Sequence, residues 1–401
     1  MALKQEKINQ LIEIYRDGLL NDTMPFWLNH CMDKECGGYF FALDRDGSVL
    51  STDKYVWLHG RLVWVLSTMF SKVEPRQEWL DAAEHGLRFL RQHAFDAKGK
   101  MYFSLDRQGR PLRMRRYIFS EAFMVAALAA YAQAKNDKTT AQEALVLFKQ
   151  MIHYHTTPGL LEPKYNQQTR PMKGLVMPMI FIVTAQILRE VVDDPICNDC
   201  IERSILEIES DFMKPELQMV LEAVTPRGEL IDTLEGRMVT PGHAIEAAWF
   251  IMVESAYRNH DARLRRVGLT ILDWMWNAGW DKKYGGLLYY VDAKGKSCSE
   301  YWHDMKFWWP HNETIIATLM AYQLTRDEKY CQMFEQVHEW AYDHFPDKEY
   351  GEWFGYLHRD GSISTELKGS QYKGAFHLPR MQLICAQLLE QLKADNARHG
   401  V

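Results

Sequence analysis

Three apolar segments, far apart in the chain, each begin with a histidine and a second ionisable residue. They are "TPGHAIEAAWF" with His243 and Glu246, "KFWWPHNE" with His311 and Glu313, and "KGAFHLPR" with His377 and Arg380. Imidazole changes charge near pH 6.5, so it can take or give a proton at neutral pH. A single such histidine is commonly a hydrogen-bonded core residue, whereas three that meet at one place suit acid–base chemistry.

His243 and Glu246 are three residues apart, so on a helix they share a face. We expect the carboxylate to hold the imidazole and to favour its charged form. The same pair resembles half of a di-iron site, but that site needs four carboxylates on facing helices, and the matching motif is missing elsewhere in the sequence. Proton transfer is therefore the favoured interpretation, and no metal site is predicted.

Other residues suit substrate binding rather than proton transfer. Arg61, in "WLHGRLVW", stays charged, and its fork of donors suits an oxygen that becomes negative during a reaction. Trp308 and Trp309 offer flat faces on which sugar rings stack, although plain core packing explains them equally well. Lys173, in "RPMKGL", begins a further apolar segment and joins the predicted substrate-binding set.

A short hairpin pattern positions these segments. Aromatic, alternating residues precede a polar turn that ends in glycine, as in "GGYFFALDRDGSVL" and "YGEWFGYLHRDGSI". The turns fall at residues 47, 109, 295 and 361, with a weaker copy at 228 and a degenerate copy without glycine near 169. Successive turns are 59 to 67 residues apart, a fixed period that indicates six copies of one structural unit.

Each interval between hairpins has room for two helices of different character. Segments such as "TTAQEALVLFKQMI" are amphipathic and must meet water, whereas "IFSEAFMVAALAAYA" and "GLVMPMIFIVTAQIL" are apolar nearly all round and must be buried. The sequence therefore predicts an all-α fold, an (α/α)6 barrel of about twelve helices, with its hairpins at one mouth. We predict one domain over residues 1–401. An open solenoid, the main alternative, normally carries polar caps that are not evident here.

Composition limits the partners. Hydrophobic residues make up 47% of the chain and charged residues 25%, with a net charge of -6, so neither nucleic acid nor an anionic membrane is expected as a partner. The start, "MALKQEKINQ", lacks the apolar core of a signal peptide. Seven scattered cysteines favour a reducing compartment, and we predict a cytoplasmic protein.

The motifs as a set resemble the N-acylglucosamine 2-epimerase family over nearly the whole chain. They are "WLHGRLVW", "RPMK", "EGRMVTPGHAIEAAWFIM", "KFWWPHNE", "EYGEWFGYL" and "KGAFHLPR". The resemblance implies that His243 and His377 act as acid and base on opposite sides of a sugar, with Arg61 and Glu246 as further catalytic residues. It also places His311 in the active site, and we assign Glu313, Arg237 and Arg380 with it to substrate binding.

The activity implied by this resemblance is the interconversion of N-acetylglucosamine and N-acetylmannosamine, with a homodimer as the expected assembly. It requires no redox cofactor. Some members are activated by ATP; the sequence has no G-x-x-x-x-G-K-[ST] loop, so a nucleotide site here would be of another kind.

Four alternatives stay open from the sequence. The protein could epimerise another sugar, such as mannose or cellobiose, or isomerise aldoses to ketoses, although "MKGLVMPMI" lacks the histidine that isomerase relatives usually place there. An inverting glycosidase on the same fold would need two facing carboxylates. A non-catalytic binding protein is the last alternative.

Overall fold

The helices and short strands of the chain alternate as the repeat predicts. The computed structural model describes residues 3–114, 117–161 and 165–399, and the rest of the predicted 1–401 domain lies outside these ranges. Within the described ranges there are thirteen α-helices: α1 (Gln5–Asp17), α2 (Met24–His30), α3 (Val56–Lys72), α4 (Gln77–His93), α5 (Phe119–Lys135), α6 (Lys138–Thr156), α7 (Val176–Arg189), α8 (Pro195–Glu207), α9 (Pro241–Tyr257), α10 (Ala262–Gly279), α11 (Trp308–Thr325), α12 (Glu328–His344) and α13 (His377–His399).

The helices form two concentric layers. The inner layer contains α3, α5, α7, α9, α11 and α13, each packed on the next, and α13 returns to α3. The outer layer contains α4, α6, α8, α10, α12 and the α1–α2 unit, whose halves are joined by a π-helical turn at Gly18–Thr23. Counting that unit as one helix gives twelve, so the predicted (α/α)6 barrel is confirmed.

Burial separates the two layers as their sequences predict. Every residue of α11 from Trp308 to Tyr322 is buried, and α5 is buried without interruption from Ser120 to Ala132. The outer helix α12 instead buries only one stripe. None of the helices in the described part of the chain is long and apolar enough to cross a membrane.

Short antiparallel strands build the hairpins. They are β1 (Ala42–Leu43), β2 (Val49–Ser51), β3 (Lys54–Tyr55), β4 (Ser104–Leu105), β5 (Pro111–Arg113), β6 (Lys173–Gly174), β7 (Met213–Lys214), β8 (Met219–Val220), β9 (Ala223–Val224), β10 (Met238–Val239), β11 (Val291–Asp292), β12 (Lys306–Phe307), β13 (Tyr356–Leu357) and β14 (Ile363–Thr365). The strand before an inner helix pairs with the following hairpin, as in β3–β4 and β12–β13. This pairing holds the starts of α3, α7, α9 and α11 against the hairpins that follow them.

The predicted turn glycines adopt the left-handed conformation. Gly47 and Gly361, for example, have φ of 84° and 91°, a region that side chains disfavour. The degenerate copy forms a turn at residues 167–169, although part of its motif, Lys164, lies outside the described residues.

Ion pairs around buried aspartates connect neighbouring hairpins at three places. Each has one aspartate that binds a lysine of its own repeat unit and an arginine of another hairpin: Asp33 with Lys54 and Arg107, Asp281 with Lys306 and Arg359, and Asp347 with Lys368 and Arg45. The Arg45–Asp347 contact, at 2.8 Å, connects the first hairpin to the segment that precedes the last hairpin. It therefore joins the two ends of the repeat series and closes the barrel.

Candidate active site

The inner helices surround a central cavity of about 1030 Å³. Because the hairpins lead into these helices, the helix starts converge at one end of the cavity, although they are far apart in sequence. The lining there is strongly aromatic, with Trp57, Tyr289, Trp309 and Phe376 among its residues. Aromatic faces of this kind suit the apolar face of a sugar.

His377 is the first residue of α13 and lines this cavity. Its Nδ1 lies 2.7 Å from Oε1 of Glu313, a fully buried carboxylate on α11, so the ring donates its Nδ1 proton there. Burial lowers the pKa of His377 well below its usual value, and the charges of Arg61 and Arg380 lower it further. A neutral ring whose Nδ1 proton is held leaves Nε2 as a free base.

His243, in the first turn of α9, has a different environment. Its Nδ1 lies 3.1 Å from both carboxylate oxygens of Glu222, which stands between β8 and β9. Burial alone would lower the pKa of His243, but the charge and hydrogen bond of Glu222, assisted by Glu246, raise it above the usual value. Its surroundings therefore bias His243 towards the protonated form, opposite to His377.

The two imidazoles contact one indole. The Trp309 ring lies 4.8 Å from the His243 ring and 5.7 Å from the His377 ring, centroid to centroid. An acid and a base thus stand at the same level of the cavity, which is the arrangement that proton exchange at one carbon needs.

Arg61 lies in the second turn of α3, packed among three aromatic rings. Its guanidinium carbon is 4.3 Å from the centroid of Trp57, 4.2 Å from that of Phe123 and 4.5 Å from that of Phe376. Burial lowers its pKa to about 9, with the charge of Glu246 acting in the opposite direction, so the group stays cationic at neutral pH. Its Nε is buried and has no hydrogen-bond partner among the described residues.

Arg380 joins the two carboxylates behind this site. Its Nη2 donates to Oε1 of Glu246 at 2.5 Å and is 2.7 Å from Oε1 of Glu313. Glu246, Glu313 and His377 also offer ligand atoms within 4.8 Å of one another. Since the guanidinium already lies among these atoms, it supplies the positive charge that a metal ion would otherwise bring.

Comparison with known proteins identifies the family of the chain. The sequence profile described as N-acylglucosamine 2-epimerase (GlcNAc 2-epimerase) matches residues 38–377. The chain belongs to this family. It is 35% identical to the N-acylglucosamine 2-epimerase of Bos taurus over 403 residues, which cover 96% of this chain and 94% of the bovine protein. The protein is accordingly a carbohydrate epimerase.

Solved structures share the fold at lower identity. The cellobiose 2-epimerase of Bacillus thermoamylovorans superposes with a TM-score of 0.84 at 22% identity, covering 94% of this chain and 99% of that one. A D-mannose isomerase superposes with a TM-score of 0.81 at 19% identity, covering 94% and 97%. These structural similarities confirm the barrel fold, and at this level of identity they do not identify the substrate.

The structure corrects the expected partner of His243 in this epimerase. Glu246 binds Arg380 rather than the imidazole, and the carboxylate that holds the ring belongs to Glu222. An i, i+3 spacing allows contact on a helix, but Nδ1 of His243 points towards the hairpin, and Glu246 acts on it only through its charge. The catalytic role assigned to Glu246 stays a prediction.

Four residues of the predicted substrate-binding set lie outside the cavity lining: Glu313, His311, Lys173 and Arg237. His311 is fully buried and donates from Nδ1 to the Phe307 carbonyl, while Nε2 accepts from the Leu287 amide, so both ring nitrogens serve the backbone. Lys173 is paired with Glu207 and Asp211, and Arg237 with Asp232 and Asp292. Each has a structural partner in place of a substrate.

The remaining predicted residues lie at or directly behind the site. Trp308, Trp309 and Arg380 line the cavity, and Glu313 supports His377 and Arg380 from behind. Glu313 also accepts from Nε1 of Trp249 at 2.9 Å, so its carboxylate is fully engaged.

Sequence reasoning missed Glu222. A signal was present, because Glu222 interrupts the apolar run "MVLEAV" next to the fourth hairpin, just as His243 interrupts its helix. Only the paired strands β6 and β9 show that this segment returns to the cavity mouth.

Proposed function

We propose that the protein interconverts N-acetylglucosamine and N-acetylmannosamine by exchanging the proton on C2. The observation that carries the proposal is the pair of histidines on Trp309, one held by Glu313 and biased neutral, the other held by Glu222 and biased charged. Family membership supplies the choice of an N-acylated amino sugar as substrate.

The reaction begins with the open-chain aldehyde, whose carbonyl makes the C2 proton acidic. Nε2 of the neutral His377 takes that proton, and the electron pair moves into a C1–C2 double bond with negative charge on O1. His243 then delivers its Nε2 proton to the opposite face of C2, and the carbonyl forms again. One proton leaves and one returns, so the step needs no oxidant, reductant or redox cofactor.

Arg61 stabilises the charge that appears on O1. Its guanidinium lies one turn deeper than the histidines and lines the cavity, so its terminal N–H groups are placed to donate to O1. Donors fixed in place before the reaction stabilise developing charge most effectively in a site that excludes water. The three aromatic rings around Arg61 provide that exclusion.

The two histidines exchange protonation states in each turnover. After the forward step His377 carries the proton and His243 is neutral, which is the arrangement that the reverse reaction requires. The pair therefore has one proton in either direction, as expected for coupled groups that serve two epimers.

Isotope exchange tests this mechanism. Incubation of the enzyme with N-acetylmannosamine in deuterated water should give N-acetylglucosamine that carries deuterium at C2, detected by NMR or mass spectrometry. Product without deuterium would contradict proton exchange with these histidines. A parallel panel of mannose, glucose and cellobiose separates the proposed substrate from other sugars, since a higher kcat/KM for any of them would overturn the choice of an N-acyl sugar.

We also propose a cytoplasmic homodimer. Cys31, Cys197, Cys200 and Cys385 are buried thiols outside any disulfide, which suits a reducing compartment. Dimers are the assembly that the family resemblance implies, and sedimentation of the purified protein tests it. Activation by ATP, which the resemblance also raises, is tested by assaying with and without the nucleotide.

A further inference from the structure

The cavity follows two inner helices over their whole length. On α3 its lining begins at Trp57 and ends at Lys72, the last residue of the helix. On α7 it begins at Val176 and ends at Glu190, which directly follows the helix. At about 1.5 Å per residue, these stretches are about 22 Å and about 21 Å long. The cavity therefore crosses the barrel from the hairpin mouth to the opposite face.

Two charged side chains bound the cavity at that opposite face, which we call the rear. Nζ of Lys72 lies 2.7 Å from Oε2 of Glu190, and Nε2 of Gln133, on α5, donates to the same oxygen at 3.2 Å. The Lys72 and Glu190 side chains are 37% and 44% exposed, so water also reaches them from outside the barrel. An ion pair between exposed, long side chains is weak, and such side chains change rotamer rapidly. This boundary can therefore open without a change in the helices.

Polar side chains line the cavity between this ion pair and the level of the histidines. They are Thr68 on α3, Thr184 and Gln186 on α7, and Gln387 on α13. Hydroxyl and amide groups bind water, whereas a purely apolar cavity stays dry. Between them α5 contributes the small side chain of Ala126, which leaves room for that water. The rear half of the cavity is therefore suited to hold water.

A sugar bound at the histidines separates the water in the rear half from the solvent at the mouth. We propose that the cavity has a second opening at the rear, bounded by the Lys72–Glu190 ion pair, through which water and small uncharged solutes pass while a sugar occupies the mouth. Water that the sugar displaces leaves by this opening, and solvent reaches the inner side of the active site by it. The inference concerns the barrel itself and applies to any sugar that binds at the histidines.

A thiol placed in the rear half tests for this opening. Val183 is a half-buried lining residue of α7, seven residues before Glu190. In the Val183→Cys protein, methyl methanethiosulfonate, a small uncharged reagent, converts the new thiol to a methyl disulfide and releases methanesulfinate. Trypsin then yields the peptide 174–189, which contains no native cysteine, so mass spectrometry measures this label alone.

The labelling rate is compared without sugar and with a saturating concentration of N-acetylmannosamine, or of whichever sugar in the panel above has the highest kcat/KM. We expect the bound sugar to slow labelling less than threefold, because the reagent still enters from the rear. A larger decrease would show that the mouth is the main entrance and would overturn the inference. The proposed function is tested separately, by which sugar of the panel is turned over.

Two further changes in the Val183→Cys protein act on the opening itself. With sugar bound, Lys72→Ala should raise the labelling rate at least threefold, and Gln387→Trp, which narrows the passage from α13, should lower it at least threefold. Lys149→Ala is the matched control, because its ion pair with Asp194 is also 2.7 Å long but joins α6 to the start of α8, away from the cavity lining. Unchanged rates in both variants, with thermal unfolding like that of the parent protein, overturn the inference. Equal acceleration by Lys149→Ala would also overturn it.

Discussion

Replacing Glu222 by glutamine tests how the structure prepares His243 as the acid. Both oxygens of Glu222 lie 3.1 Å from Nδ1 of His243, and the side chains are 19% and 27% exposed, so the charge is only partly screened by water. Glutamine has nearly the same shape and retains an oxygen that can accept the Nδ1 hydrogen bond. The substitution therefore removes the charge while keeping the contact.

The sign of the effect follows from the two histidines. His377 must be neutral to accept a proton, so activity is lost as the pH falls through its lowered pKa. His243 must be protonated to donate, so activity is lost as the pH rises through its raised pKa. Removing the charge of Glu222 lowers the pKa of His243, and the alkaline limb of kcat/KM should move about one pH unit towards acid. On that limb the variant should be about tenfold slower than the wild type.

The assay is the pH profile of kcat/KM for N-acetylmannosamine, which reports the ionisations of the free enzyme. Glu216→Gln provides a control, because Glu216 is an exposed carboxylate in the turn between β7 and β8. The acid limb should be the same in all three proteins. A folded Glu222→Gln enzyme whose alkaline limb coincides with that of the wild type would refute the assignment of His243 as the protonated partner.

Three further predictions follow from the same geometry. Replacing His243 or His377 with asparagine should each lower kcat by about 100-fold or more, since each is a general acid or base; near-normal turnover with either variant would contradict its role. Arg61→Lys should lower kcat by about 100-fold while circular dichroism stays unchanged, because the forked donor is lost; activity close to that of the wild type would contradict its role at O1. Asp347→Asn should destabilise the protein by about 3 kcal/mol, seen as a lower Tm, because it leaves Arg45 and the buried Lys368 without their carboxylate; an unchanged Tm would show that this contact does not close the barrel.

Much of the fold could be predicted because the same unit of one hairpin and two helices occurs six times in the sequence. The period of the turn glycines, the apolar character of the inner helices and the stripes of the outer helices each indicate the same barrel. Convergence of the inner-helix starts then placed His243, His377 and Arg61 at the cavity without any knowledge of contacts. Those predictions depend on chain topology, which local patterns are sufficient to specify.

The partners of the histidines could not be predicted in the same way. Which carboxylate reaches His243 depends on the direction of Nδ1 and on how a hairpin returns to the mouth, and sequence spacing fixes neither. The i, i+3 spacing on one helix face predicts Glu246 as the partner, whereas in the structure Arg380 of α13 donates a hydrogen bond to that carboxylate. Contacts across elements that are 21 or 134 residues apart are outside the reach of an i, i+3 rule.

The repeat itself accounts for the position of His311 outside the cavity lining. His311 follows Lys306 by five residues, and His59 follows Lys54 by the same interval. Each ring donates from Nδ1 to a backbone carbonyl four residues earlier, and each accepts at Nε2 from the amide after a double glycine. A histidine that recurs with the same backbone contacts in two units holds the scaffold of both.

Equivalent positions of the repeat units that carry different residues indicate the functional site instead. Two residues after the recurring histidine, α3 carries Arg61 and α11 carries Glu313. Arg61 lines the cavity, and Glu313 holds the imidazole of His377. Since the two units share their scaffold contacts, a change from cation to anion at one equivalent position reflects the different sides of the substrate that each helix serves. In this closed repeat, residues that recur in equivalent positions therefore indicate which contacts stabilise the barrel. Residues that differ between equivalent positions beside them indicate where the substrate is bound and converted.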